Sequence, residues 1–161
     1  MDLYTTRKIS PINIPGLCRV EGILYRCGKD MAKRYDLHHW NNSHIKNIAV
    51  MALCLLKNRV YLVQDREGMA VATFQLRKNG QSLHFGKLAT DPVSAGKGVG
   101  SFCMAQIERM AEEMSCKKVC CEVYDRSEHA ICFYKNRGYD ICGSVNSLKY
   151  GQLQMEKSLE K

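Results

Sequence analysis

No stretch of this chain is apolar for long enough to cross a bilayer. The longest run, around Ala49 to Leu56, falls far short of the ~20 residues that a spanning helix needs. The opening "MDLYTTRKIS" lacks the apolar core of a secretory signal, which predicts a cytoplasmic protein whose thiols stay reduced. The nine cysteines contain no C-x-x-C pair, and His/Cys pairs at zinc spacing are missing. No metal is therefore expected, and Cys120 and Cys121 read as small hydrophobes in a strand. Basic residues are plentiful but never concentrated: 24 Lys and Arg face 16 Asp and Glu, for a formal charge of +8. No basic run reaches five residues, and no aromatic stacking motif of the RNA-recognition type occurs. Neither a nucleic-acid nor a membrane partner is expected. An anionic small ligand would need only part of this charge. Repeats and low-complexity tracts are also missing.

What is present suits one domain over 1–161, with 45% hydrophobic and 25% charged residues. "SPINIPG" reads as a Pro/Gly loop, and about Gly28 to Trp40 as one or two short helices. "NNSHIKNIAVMALCLLKN" carries helical spacing, with Ser43 as a candidate cap. "RVYLVQD", "MAVATFQLRKN" and "QSLHFGKLATD" then read as three antiparallel strands joined by tight turns. In the third, Leu83, Phe85 and Lys87 are expected on one face, with His84, Gly86 and Leu88 on the other. A helix follows from about Gly98 to Ser115, then the strand "KKVCCEVYD", then the helix "SEHAICFYKNRG", and one or two further strands. Strand, helix, strand predicts a right-handed crossover and parallel pairing. The class is mixed α/β.

Between the third strand and the long helix lies "DPVSAGKGVGSF". It is not a P-loop, because Lys97 is followed by Gly98. Nor is it the dinucleotide pattern, because Cys103 stands where a third glycine would be needed. What remains is strand, glycine loop, helix. Backbone N–H groups at a helix N-terminus, with the positive end of its dipole, suit an anion. Three alternate glycines, Gly96, Gly98 and Gly100, let a pyrophosphate approach the backbone closely.

This loop resembles that of the GNAT superfamily of N-acetyltransferases, (Q/R)-x-x-G-x-(G/A), read here as Ala95-Gly96-Lys97-Gly98-Val99-Gly100. The leading side chain is replaced by Ala95. A second match is "CEVYDRSEHAICFYKNRGY", similar to the family's LEVYxxNxxAxxFYxxxGF. In it Glu122, Val123, Ala130, Phe133, Tyr134, Gly138 and Tyr139 fall in register, and Ser127 replaces the asparagine. The resemblance covers about residues 59–157. It implies a mostly antiparallel mixed sheet flanked by helices, with a parallel strand pair splayed around the cofactor site. The region of about residues 1–58 would shape the acceptor side.

The resemblance also implies acetyl-CoA as cosubstrate and a small-molecule or peptide amine as acceptor. The pyrophosphate would lie on residues 95–101, ending at Ser101, with Lys97 as a point charge. Backbone groups of Leu88, Ala89 and Thr90 would pair with the pantetheine arm, and Ser127 would contact it. Tyr134 would be the acid. The base is left among Glu122, His84 and a chain of waters. "DLHHW", Asp36 to Trp40, with His44 nearby, is a candidate lining for the acceptor pocket. A non-catalytic acyl-CoA-binding module of the same fold is the alternative reading. A monomer or a homodimer is expected, with a C-terminal strand offering an edge.

Overall fold

A strand alternates its side chains between two faces, and the strands here use that alternation to serve two cores. The computed structural model describes residues 3–40, 48–146 and 151–160. Its seven strands are β1 (Tyr4–Lys8), β2 (Arg59–Asp65), β3 (Ala70–Asn79), β4 (Ser82–Thr90), β5 (Lys118–Tyr124), β6 (Asp140–Asn146) and β7 (Gly151–Ser158). They form one sheet in the order β1-β2-β3-β4-β5-β7-β6. Neighbours are antiparallel except β4 and β5, as expected of a strand–helix–strand crossover. β7 is inserted between β5 and β6, so the C-terminal strand is internal and the edges are β1 and β6.

Helices α3 (Val99–Glu113) and α4 (Glu128–Lys135) pack on one face. Phe74, Leu76, Leu83, Phe85, Val119, Cys121 and Met155 meet Cys103, Met104, Ile107 and Tyr139 in that core. The other face carries α1 (Ile14–Tyr35) and α2 (Ile48–Lys57). There Leu17, Val20, Ile23 and Leu24 of α1 cover Val60, Leu62 and Ala89.

Helix α1 corrects the expectation of a loop followed by short helices. The prolyl-glycyl part of "SPINIPG" is its first turn: Pro15 needs no amide partner there, and the Asn13 side chain accepts from the Gly16 amide at 3.0 Å. Ser43 and His44 lie outside the described residues. The strand β4 departs from simple alternation as well. Gln75 pairs with Gly86 but Thr73 pairs with Ala89, so Lys87 and Leu88 together oppose Phe74. Lys87 takes a left-handed backbone, φ 46°. This bulge turns Leu88 toward the core of Leu83 and Phe85, and puts Ala89 in the core beneath α1.

Candidate active site

The site exists because two parallel strands part company. β4 and β5 pair only from Ser82↔Lys118 to Phe85↔Cys121. Beyond that, the β4 residues Gly86 to Thr90 keep β3 on one side, and Glu122 to Tyr124 keep β7 on the other. Between them opens a cleft of about 1140 Å³. Its walls include Leu88 and Thr90 from β4, Glu122 and Val123 from β5, and Ser127, Ala130, Phe133 and Tyr134 from α4.

The glycine loop closes one end. Gly96 and Gly98 are left-handed, φ 76° and 79°, which only glycine adopts without strain. Gly98 is the N-cap of α3 and offers no side-chain cap, so the first amides of that helix are left for water or a ligand. Gly100 sits inside the first turn, and a β-carbon there would meet Phe133 only at 3.5 Å, an ordinary contact. Two partners hold the loop. Asp91 is 4% exposed; its carboxylate accepts from the Val93 amide at 3.3 Å and from Arg26 Nε of α1 at 2.9 Å. The Tyr4 hydroxyl of β1 donates to the Lys97 carbonyl at 2.9 Å.

Tyr134 stands where the strands part. Its ring meets that of Phe85, the last paired residue of β4, edge-on at 5.5 Å, and Tyr139 lies at 6.0 Å. The Tyr139 amide donates to the Tyr134 carbonyl at 3.1 Å, across Gly138 at φ 85°, a closure that fixes the end of α4. Burial pushes the phenol far above its ordinary pKa, so it keeps its proton at any physiological pH. Glu122 and His84 project from the opposite face of the sheet. Glu122 is exposed; His84 is half-buried, and its pKa is lowered by burial and then by Arg77, against the pull of Glu122. Its imidazole is neutral at pH 7.

The described residues contain no cluster of His, Cys, Asp and Glu able to hold a metal, and no helix among them is long and apolar enough to cross a membrane. With this geometry in hand, the family is decided by sequence. Residues 25–139 match the model of the acetyltransferase (GNAT) family. The chain belongs to that family. No curated protein sequence matches it. Among solved structures, the PaiA N-acetyltransferase of Thermoplasma acidophilum in complex with coenzyme A superposes with a TM-score of 0.77 at 15% identity, over 98% of this chain and 99% of that one. A GNAT acetyltransferase of Staphylococcus aureus gives 0.74 at 11% identity, over 98% and 99%. Nourseothricin acetyltransferase gives 0.60 at 20% identity over 65% of this chain, which covers 66% of that protein. At these identities the likeness is one of fold.

The GNAT cleft collects most of the residues picked out from sequence. Leu88, Thr90, Ala95, Gly96, Gly98, Val99, Gly100, Ser101, Glu122, Ser127 and Tyr134 all line it, as does His84. Ala89 and Lys97 do not. The Ala89 side chain is 2% exposed beneath α1, leaving only its backbone for the cleft edge. Lys97 is exposed, and its carbonyl is taken by Tyr4. Ser127 is the N-cap of α4 without a side-chain cap bond, and it is 3% exposed.

On the other side, α1 contributes Met31, Arg34 and Tyr35, and "DLHHW" contributes His39 and Trp40. His38 turns away to Asp36 at 2.8 Å. Two ring contacts tie these walls to α4 and β5: Tyr35 stacks on His129 at 4.2 Å, and His39 meets Tyr124 at a tilt at 4.4 Å. Burial lowers the pKa of both histidines, and each is neutral at pH 7.

Sequence reasoning missed Gln75 and Gly86 in the floor, and Arg26 and Tyr4 as supports. The glycine in a strand interior was a usable signal for the floor. The supports leave no local trace, because their partners lie 65 and 93 residues away.

Proposed function

We propose that this GNAT chain moves an acetyl group from acetyl-CoA to a primary amine by direct attack, as a single cytoplasmic domain. The observation that carries the reading is the β4–β5 splay, with a bare glycine cradle at one end and a protonated, buried tyrosine at its apex. The residues present fit coenzyme A: left-handed glycines with open space around them, uncapped amides of α3, and an unpaired β4 edge long enough for an extended arm. Residues 95–101 would hold the pyrophosphate, and Leu88 to Thr90 with Ser127 the arm. When bound, acetyl-CoA supplies an acyl thioester.

An alkylamine with a pKa of about 10 is mostly protonated at pH 7 and must lose a proton to attack. Glu122 takes it, directly or through one water, with the neutral His84 beside it on the same face. Amides of the β4 edge donate to the carbonyl oxygen as charge gathers there. The new N–C bond forms as the C–S bond breaks. Tyr134 gives its proton to the departing sulfur and is re-protonated with the second proton that the acylated nitrogen loses, so the products are the neutral N-acetyl amide and free CoA thiol, with Tyr134 again a phenol. All of these groups come from one chain, so a monomer suffices and a homodimer is compatible.

Calorimetric titration with acetyl-CoA, with CoA and ATP as controls, tests the cradle first. Micromolar binding of both CoA species with weak ATP binding is expected. Thiol release in the presence of amines then tests turnover. Binding without any release would make the chain an acyl-CoA-binding module, and no binding at all would remove the reading.

A further inference from the structure

We infer that the acceptor is an α-amino carbonyl compound, with its amine toward Glu122 and its carbonyl oxygen toward Gln75, seated over Gly86. This names the acceptor class of the proposed N-acetyltransferase and rests on that reading. The three residues form one row across the sheet. Gln75 of β3 pairs with Gly86 of β4. Gly86 and Glu122 are each the first residue beyond the last β4–β5 pair, Phe85↔Cys121. Residues level with one another in a sheet share a face, at a strand spacing of about 4.8 Å.

Two features of this row have no explanation within the protein. Gln75 is 6% exposed, and its amide nitrogen is buried without a hydrogen-bond partner among the described residues, although its side chain lines the cleft. Buried donors in native proteins are almost always paired, so this one is aimed at something that binds. Gly86 has an ordinary backbone, outside the positive-φ glycines, and a β-carbon there would meet nothing within 4 Å. Glycine weakens a strand interior; Gly86 borders the Lys87 bulge, but its own φ is not left-handed and no neighbour would crowd a β-carbon there. What a β-carbon would fill is the floor itself.

A ligand on that floor has an N–H donor on one side and a carboxylate on the other. An α-amino carbonyl compound offers the matching pair two carbons apart, an amine to Glu122 and an acceptor oxygen to Gln75. A plain alkylamine leaves the Gln75 amide unpaired, and a site built around such a bond discriminates against the ligand that lacks it. The paired rings Tyr35/His129 and His39/Tyr124 stand around the cleft and make an aromatic side chain the natural probe.

The test uses the full chain with saturating acetyl-CoA and follows thiol release. Phenylalaninamide is compared with phenethylamine, which has the same ring and amine but no carbonyl, with both rates expressed per unprotonated amine. A kcat/KM ratio of at least about tenfold in favour of the amide is expected. Gln75→Leu, with folding verified by its CoA affinity, should bring that ratio toward one. Gly86→Ala should raise KM for the amide several-fold with CoA affinity unchanged. A ratio near one in the unaltered chain, or a ratio that Gln75→Leu leaves in place, overturns the inference while N-acetyl transfer stands. Failure of every amine to release thiol from bound acetyl-CoA overturns the transfer reading and this inference with it.

Discussion

The cleft is bared at two places by glycine, and the two glycine sites differ in cause. Gly96 and Gly98 sit at φ 76° and 79°, so the backbone itself demands them. Gly86 borders the β4 bulge, yet its own φ is not left-handed and empty space lies above it, so neither its φ nor its packing demands glycine. The first site is built by its loop and braced from far away, by Arg26 through Asp91 and by Tyr4. The second is built by register alone, Gln75 beside Gly86 and Glu122 one step past the last pair. A glycine that backbone geometry explains says little about its ligand. A glycine that it does not explain says a good deal.

The sharpest way to break this comparison is at the apex between the two sites. Tyr134→Phe removes only a hydroxyl, and it should lower kcat by about 10²–10³-fold while CoA affinity holds. Equal turnover would move the acid elsewhere. Asp91→Ala removes a 3-10 turn cap and the brace to Arg26, whose side chain is half exposed, and should cost about 2 kcal/mol. Thermal melts should fall by roughly 4–8 °C, with weakened CoA binding.

Gly98→Ala and Gly86→Ala then separate the two causes directly. The first forces a β-carbon into the left-handed region, at about 1–2 kcal/mol, and should weaken CoA binding. The second should leave the melting temperature the same or slightly higher, and act on the amine alone. If both variants destabilise alike, the distinction between the glycines is wrong.

The smallest effect is that of pH. His39, His84 and His129 all have lowered pKa values, chiefly through burial. Below the ordinary value of about 6.5 the unfolded chain binds protons that the folded chain refuses, so stability falls as pH drops from 7 toward 5. Above 7 these groups contribute no slope. Melts across pH 5–8 measure this, and His39→Phe should flatten the curve.

Much of the cofactor half was legible in the chain. The meander, the α3 stripe, the glycine loop and the "CEVY…FYKNRGY" segment are local patterns, each with its own periodicity or turn chemistry. The acceptor half was harder. α1 was obscured by Pro15, Gly16, Gly22 and Gly28, residues that read as breakers until packing against β2–β4 overrides them. The β4 bulge reversed the expected face of Leu88 through one left-handed lysine, for which no turn residue gives warning.

The sequence by itself determined the strand and helix periods, the loop that must be glycine, and the membership of the GNAT family. Local propensity and short-range spacing carry all three. Only the tertiary structure decided that β4 and β5 part after Phe85, that Asp91 meets Arg26, and that Gln75, Gly86 and Glu122 stand in one row. Those are facts of register between segments far apart in the chain. Register is set by which faces find a common core, and no single segment contains that information.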